Sequence, residues 1–320
     1  MDMKIAAAAL TMAIGLAGGN LPGAKATKVC AAAGAYRPTM TLAVSRNSAW
    51  IACKEQSRVI RVSLATGKRT KTIPLASFAI AVKPGFGSVW ALDQGGTLYR
   101  VNAKTGKVVK RIQLRVSAAY NIWIGGGSLW VADDRAAQVL RVSPRTNRVV
   151  AHIDAGDGPA SMAFAGDTAW VVNHRDTTIN RIELATNRSS RLTTLGGAGD
   201  RAPERMVWLD GDLWVTGRGT DLLQVRTSDG AIQRTIEIGG SGIDVVASGG
   251  QLWVPTRNAA VDQTGFPTMD SLKRVSVATR GVATVTQPTS RLDVHGLVVA
   301  NGALWIADNR RGYLYRVPIS

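Results

Sequence analysis

Acidic side chains are in short supply. The chain carries 22 Asp and Glu against 39 Lys and Arg, which gives a formal charge of +17. A surplus of that size attracts anionic partners over long range. Histidine is scarcer, with three residues, and cysteine is scarcest, with Cys30 and Cys53 alone. None of these residues falls at a zinc-type Cys/His spacing. Two cysteines cannot staple 320 residues, so an apolar core must carry the fold. An oxidising compartment would permit them to pair, and their positions leave that open. No G-x-S-x-G nucleophile elbow occurs. The Gly-rich stretches 196–199 and 239–242 are followed by no helical pattern and make poor phosphate cradles. Beyond the N-terminus no apolar run is long enough to cross a bilayer.

The N-terminus reads as an export signal. Lys4 supplies positive charge, residues 5–17 are apolar or small, and Ala24-Lys25-Ala26 offers a small-x-small cleavage site. The expected division is therefore a signal peptide over 1–26 and one domain over 27–320. The leader carries Lys4, Lys25 and Asp2, so its removal lowers the charge surplus by only one. An exported protein of periplasmic or extracellular residence is expected to be a monomer. Its anionic partners would be envelope polymers rather than nucleic acid.

What is plentiful is a repeat. Trp50, Trp90, Trp130, Trp170, Trp214, Trp253 and Trp305 follow one another at 40, 40, 40, 44, 39 and 52 residues. A period near 40 marks a propeller or a solenoid. Eight residues before most of these tryptophans stands an apolar residue (Ile122, Met162, Met206, Val245, Leu297), and apolar residues alternate onward from it, which reads as a strand. A Gly or Asp-Gly turn precedes the Trp strand. Ten or eleven residues later comes an Arg before an apolar residue: Arg61, Arg100, Arg141, Arg181 and Arg316. Gln224 and Arg274 take that place in the fifth and sixth repeats. Tight turns such as Thr105-Gly106 and Thr146-Asn147 then lead to a fourth strand. Four antiparallel strands per repeat predict an all-β, seven-bladed propeller. The last repeat stops after three strands, and residues 27–33 could supply the fourth and close the ring. The tryptophans are expected between blades, and the arginines in structural roles.

Segments such as Gly127-Ser128-Leu129-Trp130-Val131-Ala132-Asp133 and Gly302-Ala303-Leu304-Trp305-Ile306-Ala307-Asp308 resemble the blades of streptogramin B lyase-like (virginiamycin B lyase-like) propellers. They are also similar to the wider YVTN and NHL-type bacterial propellers, over about residues 38–320, and lack the Gly-His and Trp-Asp marks of WD40 repeats. The resemblance implies elimination chemistry with magnesium, inner-strand histidines in adjacent blades, and a Glu after the aromatic strand motif. Here His295 fits one histidine position and Asp308 occupies the Glu position. One blade earlier the matching residue is Ile243, beside Asp244. Isoleucine has no proton to transfer.

Two readings follow. The first is a non-catalytic scaffold that binds a ligand or partner on the face carrying the blade-to-blade loops, near blades five to seven. The second is a metal-dependent lyase or lactone hydrolase using His295 and Asp308. Tyr120, Asn121, Ser161, Glu204, Arg205, Asp244 and His295 are expected around the channel mouth, with Asp93, Asp133, Asn173 and Asp308 approaching the same face. Glu204, Asp244 and Asp308 are candidate ligands for a divalent cation, Mg or Ca. Two extended segments, 196–203 and the stretch between Trp253 and Arg274 with Arg257, Asn258, Asp262, Phe266 and Asp270, mark the same side. On the opposite face Lys68, Arg69, Lys107, Arg145, Arg148 and Arg188 should form a basic rim.

Overall fold

The computed structural model describes residues 21, 24–31, 40–196, 202–219, 221–257, 269–288, 292–309 and 311–319, without the side chains of Met40 and His295. Seven antiparallel sheets follow one another along the chain. Among the described residues the one helical turn is Lys54–Gln56, and no helix is long and apolar enough to cross a membrane. In blade three the strands Ala119–Gly125, Ser128–Asp133, Gln138–Ser143 and Arg148–Asp154 run from the inner edge outward. Blades one, two, four and five repeat this order. In blade six the inner strand is split into Ser241–Gly242 and Val246–Ser248, which pair separately with Gln251–Arg257.

The repeated tryptophans lie between blades, as the sequence led one to expect. Each is at most 5% exposed and belongs to the apolar cluster shared with the following blade. Trp90 packs with Ile122 and Leu129 of blade three, and Trp130 packs with Met162 and Val171 of blade four. Trp305 of blade seven packs with Leu42 and Ile51 of blade one, which completes the circle. Removing an indole of this size from water is worth about 5 kcal/mol before ordering entropy is counted.

The recurrent arginine sits directly across the strand pair from the tryptophan, as in Trp90↔Arg100 and Trp130↔Arg141. Its guanidinium lies over the indole, at 5.1 Å for Arg100 and 5.3 Å for Arg141. Nε donates to a serine on the Trp strand, Ser88 or Ser128, at 2.9 Å. One terminal nitrogen then reaches the next blade. Arg100 donates to the Pro144 carbonyl and Asn147 Oδ1, and Arg141 to the Leu184 carbonyl and Asn187 Oδ1. Where blade five carries Gln224, the serine position is Asp212, and the amide donates to that carboxylate at 2.7 Å.

The ring closes between the two ends of the chain. Lys25–Lys28 pairs antiparallel with Tyr313–Pro318, with Thr27 opposite Leu314. The closing strand therefore starts two residues earlier than 27–33 and ends sooner. Past Lys28 the chain leaves the ladder: the Val29 and Cys30 amides both bond the Gly312 carbonyl, and both side chains turn into the core against blade one. Gly312 has φ +70°, and a Cβ there would collide with the Cys30 carbonyl. Lys25 and Ala26 lie on the leader side of the expected cleavage point yet pair with Arg316 and Tyr315, and Leu21 is buried in the cluster between blades six and seven.

Cys30 and Cys53 form a disulfide, with Cα atoms 5.8 Å apart. The bond ties the segment that completes blade seven to the second strand of blade one. Replacing both cysteines by serine should cost about 3 kcal/mol by the loop-entropy relation. Denaturant unfolding checks the size, and hydrogen exchange should show the Thr27 and Val29 amides losing protection first. An Arg141→Met, Asn187→Ala double-mutant cycle should give a coupling of about 1 kcal/mol by the same unfolding measurement.

Candidate functional site in the channel mouth

The inner strands deliver their side chains to the central channel through a shared irregularity. In blades two, three, four, five and seven the inner strand slips register against its neighbour near its start, for example between Ala119 and Ile122 and between Pro203 and Arg205. The split strand of blade six places Asp244 in the same region. Bulges of this kind re-aim side chains. Asn121 Oδ1 accepts from the Ile122 amide and Asp244 Oδ1 from the Val245 amide, so both residues cap their own irregularity.

A cavity of about 410 Å3 opens there. Tyr120, Asn121, Ser161, Arg205 and Asp244 line it together, as expected from the sequence. Lys54, Lys83, Gln94 and Trp123 also line it, and the sequence reading passed over them. Lys83 carried a usable signal: it lies seven residues before Trp90, where the other inner strands carry the uncharged Ala43, Trp123, Ala163, Val207, Val246 and Val298.

The remaining candidates lie elsewhere. The Glu204 carboxylate accepts from Arg218 Nε at 2.9 Å and is not part of the cavity lining. Arg257 ends its strand opposite Ser241, outside that lining. Asp308 is fully buried, pairs across the sheet with Val294 and Tyr313, and accepts from the Asp293 amide at 3.2 Å. His295 lies on the strand Val294–Ala300, but its side chain is outside the described residues, as are 197–201 and 258–268 of the two extended segments. Asp93, Asp133 and Asn173 do not open on the mouth either. They are buried, and Asp93 and Asp133 accept from backbone amides of nearby loops while Asn173 bonds Thr178. The second strand is interior to its blade, and loops roof its end.

The electrostatics of the mouth are set by three groups. Arg205 Nε stands 3.9 Å from Asp244 Oδ1, with the side chains 20% and 18% exposed. Burial pushes the Asp244 carboxyl above its ordinary value, against the pull of Arg205 and Lys83. Burial also lowers the Lys83 ammonium, with Asp244 opposing and Arg205 adding to the effect. Arg205 is raised: burial acts against its charge, but the Tyr120 phenol and the Asp244 and Glu204 carboxylates outweigh it.

A metal centre built from Glu204, Asp244 and Asp308 does not fit this arrangement. The three carboxylates are engaged by different partners, and among the described residues no group of three or more His, Cys, Asp or Glu could hold a metal ion. Asp244 faces two cations, which repel a further one. Ile243, at the histidine position of the lyase pattern, is buried in the apolar cluster with Trp253.

Two solved structures of virginiamycin B lyase from Staphylococcus aureus superimpose on the chain. One is the selenomethionine-substituted enzyme, with a TM-score of 0.76 at 17% identity, and the other a catalytically inactive variant with quinupristin, at 0.75 and 16%. Each pair covers 93% of this chain and 100% of the other. In fold, the chain is virginiamycin B lyase-like. A chain of the mitotic checkpoint complex superimposes as well, with a TM-score of 0.77 at 11% identity over 100% of this chain and 98% of that one. These likenesses establish the propeller alone. No protein-family model and no curated protein sequence matches the chain.

The lowered Lys83 value has a measurable sign. Between that value and the ordinary lysine value of 10.5 the unfolded chain binds more protons than the folded one, so stability climbs with pH across the window. Wild type should therefore gain on Lys83→Met as pH rises toward 10.5 in paired unfolding experiments. A difference constant with pH would contradict a buried ammonium.

Proposed function

We propose that the chain is an exported binding scaffold without catalysis of its own, which takes its ligand in the channel mouth. The observation that carries this reading is the cavity of about 410 Å3 in which side chains from several blades converge. That volume suits a small molecule, and the lining mixes apolar walls with a few polar groups, as ligand sites do. Ring and bulges hold those groups on rigid strands. The absence of a histidine at Ile243 and the burial of Asp308 weigh against the lyase reading. The exposed rim of Lys68, Arg69, Lys107, Arg145, Arg148 and Arg188 supports contact with anionic envelope polymers as a second, weaker role.

Fluorine NMR on protein labelled with 5-fluorotryptophan tests the site. The chain has nine tryptophans, and Trp123→Phe identifies the resonance from the channel. Fragments that bind in the mouth should shift Trp123 and leave the buried inter-blade tryptophans unmoved. A fragment library that never moves Trp123 would remove the site. Incubation with quinupristin and magnesium should return the cyclic compound intact by mass spectrometry, and a ring-opened product would restore the lyase.

A further inference from the structure

We infer that the channel mouth selects a small organic anion, one with an apolar body and a single carboxylate or phosphate headgroup. The inference rests on the channel being the ligand site and names the class of ligand it takes.

Charge decides the headgroup. Among the described residues lining the cavity the cations are Lys54, Lys83 and Arg205, and the one carboxylate is Asp244. Asp244 cannot neutralise both Lys83 and Arg205, and the nearby Glu204 carboxylate is paired with Arg218, so the mouth keeps positive charge inside low-dielectric walls, where screening by salt is weak. A buried cation without a full counter-charge is costly, and an entering anion supplies what the fold leaves out. Arg205 Nη1 donates to the Glu204 carbonyl at 2.9 Å and the guanidinium also bonds Tyr120, so its remaining N–H groups meet a carboxylate or phosphate, with the Lys83 ammonium as a point charge beside them. The Tyr120 hydroxyl and the Asn121 amide add neutral donors to the same lining.

Shape decides the body. Trp123, Met162, Met206 and Leu297 line the same cavity, so a bare inorganic ion would leave much apolar wall in contact with water. Thioether side chains adapt to rings of differing outline. An aromatic or branched aliphatic acid fills both halves of the site. A divalent cation, a basic peptide or a neutral sugar would leave the positive groups unanswered.

The test uses the full-length fluorotryptophan protein with four probes: benzoate, phenyl phosphate, inorganic phosphate and the neutral isostere benzamide. Benzoate or phenyl phosphate should shift the Trp123 resonance, and benzamide should bind at least tenfold more weakly. Whichever of the two organic anions binds more tightly identifies the headgroup. Inorganic phosphate should bind more weakly than phenyl phosphate, because it has no body. Lys83→Met should weaken the anions at least tenfold while leaving benzamide unchanged. Asp244→Asn, which removes the competing carboxylate, should tighten the anions, and it serves as the second variant if Lys83→Met does not fold. Benzamide binding as well as benzoate would overturn the anion class and leave the channel site standing. Anion binding unchanged in both variants would also overturn it. No shift of Trp123 with any probe or fragment would remove the site together with the inference.

Discussion

The fold depends on one contact made seven times: an indole buried against the next blade. No single blade has enough apolar surface to hide its own tryptophan, so each sheet needs its neighbour. The arginine across the strand extends the contact. Its stem and guanidinium cover the ring, and at Arg100 and Arg141 its outer nitrogens bond the turn of the following blade. Burial provides most of the energy, and those hydrogen bonds fix the angle at which the sheets meet. The change to Gln224 with Asp212 keeps the bond within the blade but gives up the reach across it.

Because the scaffold is held from outside the channel, the inner strands are free to carry unusual residues. Lys83, Arg205 and Asp244 come from blades two, five and six and meet where a regular strand would present small or apolar side chains. A bulge places Arg205 and the break in the blade-six strand places Asp244, while Lys83 lies on a regularly paired stretch beyond its strand's bulge. A basic protein with a cationic mouth is also consistent over distance: the long-range field and the local groups favour the same sign of ligand.

Much of the architecture was legible in the sequence because it is periodic. The seven tryptophans set the blade count, and the missing fourth strand of the last repeat pointed to closure by the N-terminus. The cysteine pair was not legible, since it depends on the chain leaving the ladder after Lys28 and turning Cys30 toward Cys53. Of the cavity lining, Tyr120, Asn121, Ser161, Arg205 and Asp244 could be placed from the sequence as polar residues on inner strands. Lys83 and Trp123 were less legible, because they lie further along their strands than the starts where polar residues recur. Asp308 and the other residues after the tryptophan motif do reach the loop-bearing end of their strands, but they lie buried under those loops instead of lining the cavity. Periodicity gives strand and face, but it does not tell whether a loop will fold over a strand's end and take up its carboxylate.

The closing strand also sets an order of events. Lys25–Lys28 precedes all seven sets of inner strands along the chain, and its partner Tyr313–Pro318 follows them. Blades one to six can form from hairpins local in sequence, but the circle stays open until these two distant strands meet. The disulfide bears on that interval. Cys30 and Cys53 are 23 residues apart and are both available early. Once joined, they hold the waiting edge beside blade one, so the last hairpin arrives at a template already in place instead of searching for a loose end.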